Sequence, residues 1–425
     1  MRVCTTYGSD IPLREGSAMH EIRLDVFDMI PEGVGSESVV TLCGKDISEV
    51  PGSFGGLVDV GDRDIATSHR KIRSFHDFER TPSSEEILGM LSEGDQEISK
   101  GAFMASSFSD LHSIMEASRR LGRRHVLLGM GQIGEVTRIR QRALGNEFTF
   151  GYAGTSTAPG QLSADEMEML GDRCFLVGIA GHPLSHSKSP AMQNAAMDRA
   201  GIVGKYLVFD SPDLDHVEDV IRDYDIRGIN VTIPYKRDIM GHLDSVSPAA
   251  EEVGAVNTVI NDGGTLRGEN TDVSGITFAM RDVPLKGKKA LIMGSGGAAR
   301  SAAYALVVSE CSVSVSGRNK ETVSDICRTF GTEPFSGSVE GFDIIVNCTP
   351  IGLVEGEYPA DLSPLKGQTV FDMVYGRETP LTSLAKERGC AIVDGQEMLV
   401  GQGAESFRMW FGTEPDIGVM RGALE

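Results

Sequence analysis

The chain has 425 residues, 40% of them hydrophobic and 24% charged, which is typical of a globular protein with two or three domains. Its 61 acidic and 40 basic side chains give a net charge of −21 at pH 7, which argues against nucleic acid as a partner. No apolar run is long enough to cross a membrane, and the amino terminus lacks the regions of a signal peptide. The seven cysteines include no C-x-x-C pair, and no His, Cys and carboxylate residues stand at metal-ligand spacing. We therefore expect reduced thiols, a cytoplasmic location and no metal.

The first ~170 residues contain eight short candidate strands: RVCTT, HEIRLDV, SVVTLCG, GLVDVGD, KIRSFHDF, EISKGAFMA, HVLLGMG and FTFGYAG. Eight strands with helices between them are typical of a (β/α)8 barrel, whose chemistry lies at the C-terminal ends of the strands. Helices are predicted after strands five, six and seven, in PSSEEILGMLSEG, SDLHSIMEASRRLG and TRIRQRALG. The connections between strands two and five are too short for helices, so the prediction is a trimmed barrel over residues 1–170.

Side chains near the ends of the later strands could carry chemistry. Lys100 has apolar neighbours, and lost solvation there would lower its pKa and free the amine to form a Schiff base with a ketone. His76 could move protons near neutral pH. Arg138, in GMGQIGEVTR, and Gln161, in APGQ, could bind a carboxylate and hydroxyls. Taken singly, a solvated lysine, a hydrogen-bonded histidine and a helix-surface arginine are the commoner interpretations.

Together these segments resemble type I 3-dehydroquinate dehydratase, on HEIRLD, SFHDFERTP, the strand around Lys100, MGQIGEVTR and TAPGQL. The resemblance implies that Lys100 forms an imine with 3-dehydroquinate and that His76 abstracts and returns protons. The substrate-binding residues it implies are Glu21, Arg23, Arg138, Thr157 and Gln161. The chain departs from the family at Cys43, where an arginine is usual. It departs again at Gly61, where a glutamate usually partners the histidine, with Asp62 adjacent.

From Cys174 onward, strands and helices alternate, which predicts an open α/β sheet. CFLVGIAG, KYLVFDS and RGINVTI are the first strands, with a helix from Pro190 to Ala200. A boundary near SADEMEMLGDR ends the first domain at 170 and begins a substrate domain over 171–272, completed by a C-terminal helical segment over 396–425. A nucleotide-binding domain is predicted over 273–395. The final helix carries the only tryptophan, Trp410, on a side predicted to be core.

Four short motifs follow in this half: HPLSHSKSP, GINVTIPYK, GAVNT and GENTD. They supply hydroxyls at Ser187, Ser189 and Thr232. They also supply two asparagine amides, and Lys236 and Asp272 as a possible acid–base pair. Such a set suits a small polyhydroxylated carboxylic acid, because hydroxyls and amides bind its OH groups while the pair handles a proton. Each serine or asparagine alone is more often turn chemistry, and a lone lysine is usually on the surface.

The stretch GSGGAARSAAYAL follows the buried run KKALIM and places Gly294, Gly296 and Ala299 at the spacing G-x-G-x-x-G/A. In a dinucleotide site the glycines allow a tight turn and a close approach to the pyrophosphate, which the helix N-terminus faces. A glycine-rich turn without a ligand is the alternative. Arg318 and Lys320 stand about twenty residues later, where an NAD site has an acidic residue. This pair predicts NADP as the cofactor, because it suits the 2′-phosphate.

From Cys174 to the end the chain resembles shikimate dehydrogenase, with the motifs above and NCTPIGL, FDMVYGRETPL and DGQEMLVGQGAESF in that family's order. The resemblance implies that Lys236, paired with Asp272, is the catalytic lysine in the reduction of 3-dehydroshikimate by NADPH. The implied substrate contacts are Ser187, Ser189, Thr232, Asn257, Asp272, Tyr375 and Gln402. The implied cofactor contacts are Gly294, Ser295, Gly296, Gly297, Ala298, Arg318, Lys320, Met373 and Gly395. The family's Asn-Arg-Thr reads Gly317-Arg318-Asn319 here, which keeps the arginine.

The two resemblances fit together, because 3-dehydroshikimate is the product of the dehydratase and the substrate of the dehydrogenase. The leading hypothesis is an enzyme with two adjacent steps of the shikimate pathway on one chain and with small-molecule substrates as its partners. The predicted fold is α/β: a trimmed (β/α)8 barrel, a shikimate-dehydrogenase-like substrate domain and a Rossmann NADP-binding domain. The alternatives are a monofunctional dehydrogenase with a structural barrel, and a quinate/shikimate dehydrogenase with relaxed substrate choice.

Overall fold

The computed structural model describes residues 1–425, which group into two compact units. Unit 1 comprises Met1–Ser185 and Val203–Arg227, and unit 2 comprises His186–Ile202 and Gly228–Glu425. The three-domain division made from the sequence stays a prediction, because one compact unit can hold parts of two domains. No helix combines the length and apolar character that a membrane span needs.

Unit 1 begins with eight strands that form one parallel sheet. Their bounds are β1 Val3–Tyr7, β2 His20–Arg23, β3 Val39–Thr41, β4 Leu57–Asp59, β5 Arg70–Asp77, β6 Ile98–Met104, β7 His125–Met130 and β8 Thr149–Ala153. The spatial order β7-β6-β5-β4-β3-β2-β1-β8 follows the chain, as a (β/α)8 barrel requires. At the seam between β7 and β8, the Asn146 amide accepts from the Leu127 N–H at 2.7 Å and donates to its carbonyl at 2.8 Å. The sheet is therefore a nearly closed barrel, and all eight predicted strands are confirmed.

The helices of the barrel are unequal in length. The bounds in this part of the chain are α1 Ser84–Ser92, α2 Phe108–Arg120, α3 Glu135–Ile139, α4 Ala164–Leu170, α5 Ser189–Arg199 (in unit 2) and α6 Val217–Asp223. Capping boxes at Ser83 and Ser107 start α1 and α2, where the sequence predicts helices. Between β2 and β5 the only helical element is the 3-10 turn Ile47–Glu49, which confirms the trimmed barrel.

The helix predicted in TRIRQRALG is too long. Helix α3 ends at Ile139, and the next residue, Arg140, turns its guanidinium inward. That group donates to the carbonyl oxygens of Tyr224 and Cys174, both at 2.9 Å. These long-range bonds outweigh the local tendency to continue the helix.

The barrel interior changes from apolar to polar toward the C-terminal ends of its strands. Side chains two positions apart share a face of a strand, and in four places a buried apolar residue is followed on its own face by a buried polar one. The pairs are Met19 and Glu21, Leu57 and Asp59, Ile72 and Ser74, and Ile98 and Lys100. The polar members lie on the side where barrel enzymes carry their chemistry. After the barrel, unit 1 adds two parallel strands, β9 Phe175–Gly181 and β10 Gly204–Asp210.

Unit 2 contains two groups of strands. The first is β11 Gly228–Val231, β12 Ser245–Val246, β13 Thr258–Asp262 and β14 Thr265–Glu269, in which β13 pairs antiparallel with β11 and β14. The second is β15 Lys289–Met293, β16 Ser312–Ser316, β17 Glu333–Pro334, β18 Ile344–Asn347, β19 Thr369–Asp372 and β20 Ala391–Asp394. These six are parallel in the order β17-β16-β15-β18-β19-β20, the strand order of a dinucleotide-binding fold.

The helices of this unit cover the sheets. Their bounds are α7 Pro248–Val253, α8 Asp272–Ala279, α9 Gly297–Val308, α10 Lys320–Phe330, α11 Pro380–Glu387, α12 Gly395–Phe411 and α13 Ile417–Gly422. Trp410, near the end of α12, is fully buried, and its indole N–H donates to the Val259 carbonyl at 3.0 Å. A Cβ added to Gly228 would lie 2.2 Å from that indole nitrogen. The predicted core role of the α12 apolar side is confirmed.

Candidate active sites

The centre of the barrel holds a buried ion pair. Nζ of Lys100 lies 3.1 Å from Oδ2 of Asp59 and 4.4 Å from the centre of the Phe150 ring. Asp59 also accepts hydrogen bonds from the Ser74 hydroxyl at 2.6 Å and the Gly61 N–H at 3.0 Å. These contacts keep the carboxylate in one orientation toward the lysine.

The Lys100 pKa is shifted in the opposite direction from the one predicted. Burial alone would lower the pKa of Lys100, but the negative charges of Asp59 and Glu21 outweigh it and raise the pKa. Burial would likewise raise the pKa of Asp59, yet the Lys100 ammonium holds it below its usual range. The pair is charged at neutral pH, so the expectation of a lysine freed by desolvation is wrong.

His76 lies at the open end of the barrel, on β5. Burial in the surrounding protein lowers its pKa to about 4, and the Lys100 ammonium contributes to the shift, so the imidazole is neutral at pH 7. The His76 side chain is exposed, but the surface it exposes lines a concave cavity. Protein atoms surround the imidazole there, so it loses hydration although part of it stays accessible. The His76 ring stacks on Phe78 and forms no hydrogen bond with Asp62. The backbone carbonyl of Asp62 accepts hydrogen bonds from Arg73.

Two neighbouring cavities open at this end of the barrel, of about 980 Å³ and about 100 Å³. The smaller one is lined by all the residues predicted for the dehydratase site, namely Glu21, Arg23, His76, Lys100, Arg138, Thr157 and Gln161. The two positions that depart from the family, Cys43 and Gly61, line the larger cavity together with Asp62. Residues from strands and loops far apart in sequence therefore meet in one place.

Arg138 is buried, with 2% of its surface exposed, so it is not a helix-surface charge. It forms no ion pair, and its Nε is buried without a hydrogen-bond partner. Burial lowers the pKa of Arg138 to about 10 despite the negative charge of Glu135. Gln161, which accepts from the Thr157 hydroxyl at 3.0 Å, lines the same cavity. An uncompensated buried cation is costly, and an anionic ligand would supply the missing partner.

The remaining barrel residues are held by hydrogen bonds. Glu21 accepts from the hydroxyls of Thr6 at 2.6 Å and Thr41 at 2.7 Å. Arg23 donates to both oxygens of Asp25, at 3.1 and 2.8 Å. Although Cys43 is exposed, the surrounding protein partly desolvates its thiol, and this together with a hydrogen bond to Asp25 raises the pKa of Cys43 to about 12. Cys43 is therefore neutral at pH 7 and does not replace the charge of an arginine.

In unit 2, Lys236 and Asp272 form a second ion pair. Nζ of Lys236 lies 2.5 Å from Oδ2 of Asp272, whose Oδ1 accepts from the Asn257 amide at 2.9 Å. The side-chain Oδ1 of Asn257 accepts from the Thr271 N–H at 2.6 Å. Asp272 is the first residue of α8, where the helix dipole stabilises a carboxylate. One carboxylate oxygen is thus anchored and the other holds the lysine.

The other residues of unit 2 that are predicted to bind substrate form no hydrogen bond with Lys236, Asp272 or Asn257. The Ser187 hydroxyl accepts from the Ser189 N–H at 3.4 Å, and the Thr232 carbonyl accepts from the Tyr235 N–H at 2.9 Å. Burial raises the pKa of Tyr375, although a hydrogen bond to the Lys188 backbone opposes the shift. Gln402 is buried and donates to the Leu399 carbonyl at 2.9 Å.

The glycine turn has the shape that a dinucleotide needs. Gly294 has a φ of 125°, a conformation that favours glycine, and a Cβ there would lie 3.0 Å from the Cys348 carbonyl oxygen. Nothing lies within 4 Å of a Cβ added to Gly296. No side chain caps α9, which leaves the first N–H groups of this helix for a phosphate. These residues fit the pyrophosphate of a bound nucleotide.

The other predicted cofactor residues lie along the same edge of the sheet, because each follows the carboxyl end of a parallel strand. Arg318 and Lys320 follow β16 and are exposed without an ion-pair partner. Met373 follows β19, and Gly395 follows β20. A Cβ added to Gly395 would lie 2.7 Å from the backbone of Asp372 and Met373, so the ends of the two strands are close together. On the opposite side of the turn, a Cβ on Gly297 would lie 3.4 Å from Cδ of Lys236. The Lys236–Asp272 pair therefore adjoins the nucleotide turn.

Comparison with known proteins assigns both parts of the chain to known families. Family models match the chain for the type I 3-dehydroquinase over residues 61–171, the shikimate dehydrogenase substrate binding domain over 179–259 and the shikimate 5′-dehydrogenase C-terminal domain over 395–425. A shikimate dehydrogenase (NADP+) of Archaeoglobus fulgidus is 41% identical in an alignment of 266 positions that covers 58% of this chain and 96% of that protein. The chain belongs to the shikimate dehydrogenase family. Its N-terminal part adds a type I 3-dehydroquinase domain, so the chain is a fusion of the two.

Solved structures of this family support the fold of the C-terminal part. A shikimate dehydrogenase from Aquifex aeolicus has a TM-score of 0.56 and 34% identity, covering 60% of this chain and 98% of its own. A shikimate dehydrogenase in complex with NADP+ has a TM-score of 0.56 and 35% identity, covering 59% of this chain and 95% of its own. The Thermus thermophilus enzyme in complex with shikimate has a TM-score of 0.55 and 34% identity, covering 59% of this chain and 97% of its own. The predicted α/β fold with a Rossmann-type sheet is confirmed.

Asp59 is a site residue that was not predicted from the sequence. The signal was present in VDVGD, because Asp59 ends β4 only two residues before Gly61, the position that departs from the family. With Gly61 in place of the family's glutamate, Asp62 or a water is the expected partner of His76. In the structure, the carboxylate of this segment that bonds Lys100 is that of Asp59, which lies deeper in the barrel than Gly61 and Asp62.

Proposed function

We propose that this chain catalyses two successive reactions of the shikimate pathway. The barrel dehydrates 3-dehydroquinate to 3-dehydroshikimate through an imine on Lys100, and unit 2 reduces that product to shikimate with NADPH. The observation that carries the proposal is the presence, on one chain, of a lysine buried in a type I 3-dehydroquinase barrel and a Lys–Asp pair beside a dinucleotide turn.

In the dehydratase, Lys100 must lose its proton before its amine attacks the substrate ketone. The amine then displaces the carbonyl oxygen as water, and the resulting iminium makes the adjacent carbon acidic. His76, neutral at pH 7, takes that proton and later returns one to the leaving hydroxyl. Hydrolysis of the imine consumes one water and frees Lys100, so the net change is the loss of one water. Arg138 binds the substrate carboxylate, which supplies the partner its guanidinium lacks.

In the dehydrogenase, the bound NADPH supplies the hydride. Lys236 donates a proton to the carbonyl oxygen of 3-dehydroshikimate and stabilises the negative charge that develops there. Asp272 holds the lysine in position through their hydrogen bond, and Asn257 fixes the carboxylate. Arg318 and Lys320 bind the 2′-phosphate, a choice supported by relatives named as NADP(+) enzymes.

Two variants of the full chain separate the activities. Lys100→Ala should abolish formation of 3-dehydroshikimate from 3-dehydroquinate while leaving the reduction of added 3-dehydroshikimate intact, and Lys236→Ala should do the reverse. Borohydride added with 3-dehydroquinate should trap a stable adduct on Lys100, found by peptide mass analysis. Dehydration that survives Lys100→Ala would overturn the imine mechanism.

A second candidate is a monofunctional dehydrogenase with a non-catalytic barrel. It is favoured by Cys43 and Gly61, which remove an arginine and a glutamate that the dehydratase family uses. In that case the folded wild-type chain would reduce 3-dehydroshikimate, show no dehydration and give no borohydride adduct.

We also infer a cytoplasmic location. All seven cysteines are free thiols, and one of them, Cys43, is exposed. Unpaired thiols are typical of a reducing compartment.

A further inference from the structure

Two histidines and an aspartate converge in unit 1, away from both candidate active sites. His112 lies on α2, His216 directly precedes α6, and Asp219 lies in the first turn of α6. One ligand atom from each lies within 4.8 Å of the others. Helix α2 belongs to the segment matched by the dehydroquinase family, and α6 to the segment matched by the shikimate dehydrogenase substrate domain.

The spacing of these atoms is close to that of zinc ligands. Nδ1 of His216 lies 3.1 Å from Oδ2 of Asp219, and Nδ1 of His112 lies 3.7 Å from the same oxygen. Ligands about 2.1 Å from a tetrahedral zinc are separated by about 3.4 Å. The two observed separations bracket that value.

Two further features of the histidines are unexplained by ordinary packing. Nδ1 of His112 is buried and has no hydrogen-bond partner. His216 has a φ of 65°, in the left-handed region that non-glycine residues rarely adopt, and this places its ring against that of His112. A backbone outlier of this kind is kept where a specific side-chain position matters.

We propose that His112, His216 and Asp219 form a zinc site that clamps α2 to α6. Neutral imidazole and carboxylate are ligands that Zn²⁺ accepts, and three protein ligands leave a fourth position for water. The helices are already held together, since Arg119 donates to both oxygens of Asp223, at 3.0 and 2.7 Å. Binding would cost little backbone freedom, because the three ligands stand on or directly before two helices that are already fixed.

Coordination requires one change in the cluster. The rings are stacked with their centres 3.9 Å apart and their planes 8° from parallel. The lone pair of each ligating nitrogen lies in the plane of its own ring. Because the two ring planes are nearly parallel, a single ion can lie in both only after the rings tilt toward each other. His216 is exposed and has room to make this rotation.

The test uses the full chain freed of metal by dialysis against a chelator, then titrated with ZnCl2 in a calorimeter. We expect uptake of one zinc per chain with a rise in Tm. His112→Ala and His216→Ala should each lose the binding and the rise in Tm, and Asp219→Asn should weaken binding at least tenfold. His69→Ala, a histidine of the same unit outside the cluster, is the matched control and should bind as wild type does.

Failure of the wild-type chain to take up zinc would overturn the proposal. So would zinc uptake that persists in both His112→Ala and His216→Ala, because the ion would then be held elsewhere. Both enzyme activities should be unchanged in His112→Ala, since the cluster is not in either candidate active site. A result on zinc binding therefore stands apart from a result on the two reactions.

Discussion

Nζ of Lys100 lies 3.1 Å from Oδ2 of Asp59, and both side chains are buried inside the barrel. The carboxylate stabilises the ammonium form, so the amine that we propose as the nucleophile is protonated in the absence of substrate. Because the pKa of Lys100 is raised, the stability that this group contributes is complete at neutral pH and is lost only as pH rises through the folded-state pKa. Activation of the amine therefore depends on proton transfer within the bound complex rather than on desolvation alone.

Asp59→Asn should lower the pKa of Lys100, because burial would no longer be opposed by the closest negative charge. The pH at which borohydride trapping on Lys100 reaches half its maximum should move to lower pH. Removing one partner of a buried pair should also cost about 3–5 kcal/mol of unfolding free energy where Lys100 stays charged. Asp62→Asn is the control, since Asp62 has no hydrogen bond to the lysine. An unchanged trapping profile in Asp59→Asn would contradict this account of the pair.

Arg138→Met should trade function for stability. The apolar side chain removes a buried charge that has no protein partner, so the unfolding free energy should stay the same or rise by up to about 4 kcal/mol. The KM for 3-dehydroquinate should rise about 10- to 100-fold, the equivalent of about 1.5–3 kcal/mol for a hydrogen bond to a charged group. Urea unfolding and dehydratase kinetics measure the two effects. Arg142→Met, on an exposed arginine nearby, should leave the KM unchanged. An equal rise in KM in this variant would mean that the effect comes from the loss of any positive charge and not from Arg138 itself.

Lys236→Ala and Asp272→Asn should each lower kcat for the reduction of 3-dehydroshikimate by about 10²–10⁴-fold, because we propose that both groups act in the transition state. The double variant should be little worse than either single one, since the two residues act as a unit. Dehydration of 3-dehydroquinate in the same preparations serves as the folding control. Wild-type turnover in either single variant would remove that residue from the mechanism.

Arg318→Ala should raise the KM for NADPH while leaving the KM for NADH unchanged. The reason is that Arg318 is expected to contact only the 2′-phosphate, the group that distinguishes the two cofactors. Arg328→Ala, on an exposed arginine in the last turn of α10 that is paired with Asp325, is the matched control. Equal kinetics with NADPH and NADH in the wild-type chain would refute the assignment of NADP.

Much of the fold could be predicted from the sequence because its signals are local. Alternating apolar residues predict the barrel strands, and each of the eight appears where expected. The turn at Gly294 could be recognised because its conformation and its closeness to Cys348, just after β18, both favour glycine. Lys236 and Asp272 came from motifs whose order matches a family, and the structure joins them by a hydrogen bond.

What only the tertiary structure decided depends on contacts between distant residues. Asp59 and Lys100 are 41 positions apart, and the direction of the lysine's pKa shift follows from which charge lies beside it in the folded barrel. The burial of Arg138 without a partner is likewise invisible in a linear pattern. The cluster of His112 with His216 and Asp219 joins two segments more than a hundred residues apart, so no spacing rule finds it. Sequence determines local conformation through short-range sterics and hydrophobic period, whereas electrostatics acts through space and is set by the packing of the whole chain.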